Sequence, residues 1–315
     1  MSGSGFLLYD KPAGITSFVS LAEFKKADPS IKFGHAGTLD RFATGLLIVL
    51  AGTYSRLAPW FQGLDKTYRA QICFGSETDT LDPDGVVVRT GAPPNADQLQ
   101  KCLPSFLGAQ QQVPPEYSAL HFKGARASSL ARKGQHPELA PRQIIVSRLD
   151  LLDYDGQCAT LDIACSSGTY VRALARDIAA VCGSCAHVAA LRRTRVGPFS
   201  VDAAVVDPAH CDLHAVLAKV DCAAACGIGL GIGRIPHDQK NQFAHGFPGA
   251  LSHLAVDGGV DCGSASAEAP ARDVPLARDI AVFSDDGDFL GIVEKKPDGF
   301  HYKIVVASEE GRPKS

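Results

Sequence analysis

One carboxylate of the chain stands where chemistry would need it. In "GHAGTLDRFATGLL", residues 34–47, Asp40 is the only acid among glycines, two threonines and apolar side chains. Gly34, Gly37 and Gly45 permit tight turns or a close backbone approach, which suits a loop beside a ligand. A carboxylate there serves that ligand, or it caps a helix over "RFATGLL". The Gly-Lys-Ser/Thr ending of a phosphate-cradling loop is absent. Two basic clusters supply a second kind of chemistry. Residues 121–148 hold Lys123, Arg126, Arg132, Lys133, Arg142 and Arg148 against one acid, Glu138, and "LRRTRVGPF" adds Arg192, Arg193 and Arg195. In a chain of net charge −3 this concentration reads as a phosphate-binding footprint with salt-sensitive affinity. Cys182 and Cys185 form a C-x-x-C pair, but no second pair stands at zinc-ribbon spacing, so they read as small buried residues ending a helix. The ten cysteines are scattered over a long chain, and reduced thiols are expected.

The elements that must position these residues read as α+β. "KTYRAQICFG", "GVVVRT", "RQIIVSRLDLLDY" and "CATLDIACSS" alternate apolar and polar residues between Gly, Pro and Asp, as strands do. "SFVSLAEFKKA" is predicted as a helix opening after Thr16 and Ser17, and "GTYVRALARDIAAVC" has helical apolar spacing. A mixed or antiparallel sheet flanked by helices fits better than strict strand-helix alternation. The 315 residues and 45% hydrophobic content accommodate two globular units, here divided as 1–205 and 206–315. The second unit has a short helix at "DLHAVLAKVD", a Gly-, Ala- and acid-rich segment at 257–275 read as a mobile insertion, and then strand, D-D-G-D turn, strand, turn, strand. With no leader-like N-terminus and no run of membrane-spanning length, a cytoplasmic protein is expected.

"YDKPAGITS", "GHAGTLDRFATGLL", "KTYRAQICFGSETDTLDPDG", "QVPPEYSALHFKGARASSLARKG", "SSGTYVRALARDIA" and "LRRTRVGPF" resemble, in order and spacing, the motifs of the bacterial tRNA pseudouridine-55 synthases, the TruB family. The resemblance covers roughly residues 5–200. It implies a catalytic domain of pseudouridine-synthase type and a small β-rich, PUA-like C-terminal domain. By the same resemblance Asp40 is the catalytic aspartate, Tyr68 packs against the target base and Arg172 pairs with the catalytic carboxylate. His35 touches RNA around the extruded nucleotide, Lys11 and Pro12 belong to the early Lys-Pro motif, and Tyr170 and Leu191 line the pocket. Lys123, Arg126, Arg132 and Arg193 are the expected contacts to the RNA backbone.

The implied activity is isomerisation of uridine 55 in the T-loop of tRNA by a monomer needing neither metal nor cofactor. That reaction needs the base out of its stack, an aromatic face in place of the lost stacking, and a carboxylate beside the sugar. A guanidinium nearby favours and orients the charged carboxylate. Asp40 either adds covalently or removes a sugar proton, and the sequence leaves both routes open. A single acid argues against ordinary glycoside hydrolysis, which uses two. Without the resemblance, Tyr68 reads first as a core aromatic and Arg172 as a surface residue. The chain departs from the family at Ala36 (usually Thr), at Arg41-Phe42 (usually Pro-Leu) and at Ser167 (usually Lys). A non-catalytic protein that binds or folds RNA, and the same chemistry on another RNA, are the alternatives.

Overall fold

The computed structural model describes residues 3–122, 124–205, 207–208, 211–257 and 278–306. Lys123 and nearly all of the segment 257–275 therefore lie outside the described residues. Strands β1 (Gly5–Lys11), β2 (Phe33–Ala36), β3 (Thr44–Ala51), β4 (Lys66–Phe74), β5 (Ser76–Thr78), β6 (Val87–Thr90), β7 (Gly108–Gln112), β8 (His121–Phe122), β9 (Ala125–Arg126), β10 (Arg142–Tyr154), β11 (Cys158–Cys165), β12 (Ala186–Val196) and β13 (Phe199–Ser200) make up the first part of the chain. Its main sheet runs in the order β1-β3-β12-β4-β11-β10-β7, with β2 beside β3 and β13 beside β12. All pairings are antiparallel except β3 with β12, where Arg192 and Arg193 lie opposite Thr44 and Gly45. The expected α+β architecture with a mixed sheet is the one observed.

The central strand explains the architecture. From Gly45 to Ala51 every residue of β3 is buried, so neither face meets water. Leu47 and Val49 pack into a cluster with Phe24, Leu174 and Ile178, which brings the helices Leu21–Ala27 and Val171–Val181 onto one face. Leu46, Ile48 and Leu50 pack the other way, with Ile232, Phe283, Phe289 and Ile292. Those partners belong to a second sheet of β14 (Gly231–Ile235), β15 (Ala255–Val256), β16 (Asp279–Ser284), β17 (Phe289–Lys296) and β18 (Gly299–Val305), ordered β15-β14-β16-β17-β18. A strand covered on both sides must be apolar along its whole length, which is what "GLLIVLA" is. The Trp60 indole also donates to Asp279 across this junction at 3.1 Å, with the Lys303 ammonium 5.2 Å above the indole ring.

Several local expectations are corrected. No helix follows Asp40: the chain turns through Ala43, whose amide donates to the Asp40 carbonyl at 3.2 Å, and enters β3. The first helix begins at Leu21, because residues 16–20 are held in a turn by bonds from Ser20 to the Thr16 carbonyl and from Val19 to the Thr16 hydroxyl. "DLHAVLAKVD" supplies only the four helical residues Leu213–Val216. The thiols are not all reduced: Cys73 and Cys158 face each other across the β4-β11 ladder, with Cα atoms 4.1 Å apart, and form a disulfide. Cys182 ends the helix Val171–Val181 as expected, and Cys185 is buried.

Candidate functional site

Asp40 lies in the turn joining the antiparallel pair β2 and β3. A second loop, residues 12–20, straps that turn from outside. The Ser17 hydroxyl accepts from the Leu39 amide at 2.8 Å and donates to its carbonyl at 3.1 Å, and the Gly14 amide donates to the Arg41 carbonyl at 2.8 Å. Lys11 closes the strap from inside, donating to the carbonyls of Pro12 at 2.7 Å and Ile15 at 2.9 Å. It is fully buried, away from any RNA surface, and its donors shape the loop that frames Asp40. Burial lowers the Lys11 ammonium to about 8, with the Asp40 charge acting the opposite way.

Arg172 reaches Asp40 from the first turn of the helix Val171–Val181. It is 4% exposed, so the surface reading of this arginine does not hold. Its Nη2 donates to Asp40 Oδ1 at 3.1 Å, and its Nε lies 2.9 Å from Oδ2 as an ion-pair contact without hydrogen-bond geometry. Nη1 donates to the Thr80 carbonyl at 2.6 Å and Nη2 also to the Tyr117 carbonyl at 2.9 Å. Nη1 also stands 3.3 Å from the carboxylate of Asp82, so one guanidinium serves two acids.

Asp82 was not singled out by the sequence. It is buried, accepting from the Thr80 hydroxyl at 2.6 Å and the Asp84 amide at 3.1 Å. Burial pushes its carboxyl up, against the pull of those hydrogen bonds and of Arg172. The signal available was the acid-rich turn "TDTLDPDG", but nothing in it says which acid turns inward. That is decided by Leu81, the one non-glycine residue with positive φ among those described, at 62°. Its strained backbone sends the Thr80 carbonyl to Arg172 and its own carbonyl to the Val188 amide at 3.1 Å.

Tyr68 sits on β4, opposite Arg193 of β12 and Ile163 of β11. It is 8% exposed, and burial pushes its phenol up to about 12. The charge of Asp40 acts on Tyr68, Tyr170 and Lys11 alike, so these groups share one electrostatic neighbourhood. Tyr170 caps the helix that carries Arg172, held by Gln112, whose side chain accepts from the Tyr170 amide at 2.9 Å and donates to its carbonyl at 3.2 Å. Leu191 lines, with Phe42, Thr44 and Arg69, a cavity of about 310 Å3. His35, on β2, is half-buried; burial and then the Arg193 charge lower its pKa, leaving a neutral ring at pH 7. Its Nδ1 is buried without a hydrogen-bond partner among the described residues.

Of the expected backbone contacts, Arg126 and Arg132 are exposed on the segment that follows β8. Arg193 is not: at 1% exposure it cannot meet a phosphate at the surface, and the expectation is corrected. Alternation along β12 explains the error, since Arg192 points the other way and pairs with Asp10 at 2.7 Å. Arg41, one of the departures, is exposed and pairs with Asp84 at 3.3 Å, tying the Asp40 turn to the loop that carries Asp82. Among the described residues, no three His, Cys, Asp or Glu side chains cluster as a metal site, and no helix is long and apolar enough to cross a membrane.

Residues 24–171 match the N-terminal domain profile of the TruB family pseudouridylate synthases, and residues 172–223 match the profile of the tRNA pseudouridylate synthase B C-terminal domain. The chain is 45% identical over 217 residues to tRNA pseudouridine synthase B of Treponema pallidum (strain Nichols), covering 61% of this chain and 59% of that protein. The chain thus spans less than two thirds of the length of that relative. To tRNA pseudouridine synthase B of Bordetella avium it is 43% identical over 225 residues, covering 70% of this chain and 90% of the relative. Among solved structures, the fold is similar to a chain in an H/ACA RNP bound to a substrate RNA containing 2'-deoxyuridine, with a TM-score of 0.68, 18% identity and coverage of 97% and 86% of the two chains.

Proposed function

The chain belongs to the TruB family of pseudouridylate synthases, and from that premise we propose that it isomerises uridine 55 in the T-loop of tRNA to pseudouridine. The observation that carries the reading is the carboxylate of Asp40, ion-paired and hydrogen-bonded to a buried arginine in the same neighbourhood as Tyr68. A protein that only binds RNA has no use for a carboxylate kept in one orientation at this cost in buried polar groups.

The target base leaves its stack and enters between the Asp40 turn and β4, where the Tyr68 ring replaces the lost stacking. Asp40 then acts at the sugar or the base. The N1–C1′ bond breaks, the uracil turns, the C5–C1′ bond forms, C5 gives up its proton and N1 receives one, so atoms and electrons balance within the nucleotide. Arg172 keeps Asp40 aligned through these steps and stays out of the chemistry. Arg126 and Arg132 meet the phosphates of the arm, His35 and Leu191 bound the pocket, and the β14–β18 sheet serves as an auxiliary, PUA-like RNA contact. The division into a catalytic unit (1–205) and a C-terminal unit (206–315) goes with this reading. The enzyme acts as a monomer in the cytoplasm, where its substrate is made.

The test is incubation of unmodified tRNA with wild type and Asp40→Asn, followed by carbodiimide mapping of pseudouridine. Wild type should give product at position 55. The variant should lose at least about 10^3-fold in single-turnover rate while its tRNA affinity stays within about threefold. Product from Asp40→Asn at the wild-type rate would refute the role of the carboxylate. Binding without product from wild type would point to a folding or binding protein.

A further inference from the structure

Arg193 is the largest fully buried side chain among the described residues. A guanidinium removed from water is tolerated only where its donors are matched, and a shape-filling apolar residue is ordinarily the more stable occupant. Here Nε donates to the Leu46 carbonyl at 2.7 Å and Nη2 to the Gly37 carbonyl at 2.8 Å. Among the described residues no carboxylate pairs with it. Tyr68 lies directly opposite on β4, where the Arg193 charge acts against the burial that raises its phenol.

The identity of these partners is informative. Gly37, at φ 79°, lies three residues before Asp40 in the same turn, and a Cβ there would stand 3.5 Å from Arg193 Nη1. Leu46 lies where the chain leaves that turn for β3. Tyr68 carries the aromatic face. The guanidinium thus sits under the site, bonded to the Asp40 turn at Gly37 and to the start of β3 at Leu46, with Tyr68 opposite it across the β4-β12 pair. Its field is felt across the same floor, adding to the effect of burial in lowering Lys66 and His35.

We propose that Arg193 is a positioning residue of the isomerase site, a buried fork that holds the Asp40 turn and the Tyr68 ring in one register so that carboxylate and aromatic face address the same nucleoside. The proposal rests on the isomerase reading above. Arg193 touches no substrate, so its loss should slow the chemical step and leave binding alone.

Arg193→Lys keeps a cation in the same space without the planar fork. Its single-turnover rate on unmodified tRNA should fall at least about tenfold, with tRNA Kd within about threefold of wild type and an unchanged salt dependence of binding. In protein labelled with fluorotyrosine, the 19F resonance that disappears in Tyr68→Phe should shift in Arg193→Lys. An unshifted resonance, an unchanged rate, or a weakened Kd with a reduced salt slope would each overturn the proposal, the last in favour of a phosphate contact. If Arg193→Lys does not fold, the same readouts on Arg193→Gln decide, and failure of both to fold assigns the residue to structure alone. A wild type that makes no pseudouridine removes the isomerase reading and this role together, whereas an active wild type with an equally active lysine variant removes only this role.

Discussion

Arg172 divides its charge between two carboxylates that differ in setting. Asp40 is partly open to solvent, while Asp82 is buried and has its carboxyl pushed up by that burial. As pH falls, Asp82 therefore takes a proton at a higher pH than an ordinary aspartate would, and Arg172 loses one of the two acids that fix its position. Two outcomes are expected. Asp82→Asn should slow the single-turnover rate by on the order of tenfold to a hundredfold with little change in tRNA affinity, through loosened alignment of Asp40. The wild-type rate should also decline on the acid side in a pH range where the Asp82→Asn rate is flat, and parallel profiles would separate Asp82 from the chemistry. At this scale the sequence was partly legible. Asp40, Tyr68 and Arg172 stand in motifs that name them, but burial is not written in a motif. Arg192 and Arg193 are neighbours of one type, and only the alternation of β12 sends one to an ion pair with Asp10 and the other under the site. Asp82 is one of three acids in its turn, selected by the left-handed backbone of Leu81.

At the scale of elements, the Asp40 turn depends on the parallel junction of β3 with β12. Gly45 has φ 101°, and a Cβ there would lie 2.2 Å from the Arg193 carbonyl oxygen. Gly45→Ala must therefore part the two strands as well as adopt a strained backbone, at a cost of about 2–4 kcal/mol, read as a lowered unfolding midpoint. A Gly45→Ala protein as stable as wild type would mean the junction is slack. The β4-β11 ladder has a covalent tie in Cys73–Cys158, which closes a separation of 85 residues. In the chain-entropy account a loop of that size is worth about 4.5 kcal/mol, so reductant should lower the unfolding midpoint of wild type by more than it lowers that of Cys73→Ser/Cys158→Ser, in which the disulfide of Cys226 remains. Strands were legible because alternation is a local signal. The stretch after Asp40 was ambiguous because "GLLIVLA" is apolar throughout, and such a run belongs to a buried helix or to a strand covered on both faces. The second cover comes from β14–β18, a long way along the chain. The Cys73–Cys158 pairing was illegible for the same reason, since it depends on strand register.

For the whole molecule, the buried titrating groups set how stability varies with pH. Lys11 and Lys66 are lowered by burial to about 8 in the folded protein, against an ordinary lysine value near 10.5. Between those values the unfolded chain binds more protons than the folded one, so both lysines make stability rise with pH. Cys102 and Cys165 work in the opposite sense: burial pushes their thiols up to about 12 from 9.0, so above pH 9 the folded chain holds protons that the unfolded chain has lost. Tyr54 and Tyr68, raised by burial to about 12 from 10.0, add to that loss above pH 10. From these groups the expected curve climbs from about pH 7.5 to 9 and falls beyond about pH 10. Urea unfolding across this range checks it. Lys66→Met should weaken the climb and start the fall at lower pH, because the Lys66 contribution runs on towards pH 10.5 and offsets that of the thiols, of which Cys165 feels its charge. A wild-type curve that falls steadily from pH 7.5 would show that the two ammonium groups keep ordinary values, and that the floor under Asp40 and Tyr68 is wetter than their burial implies.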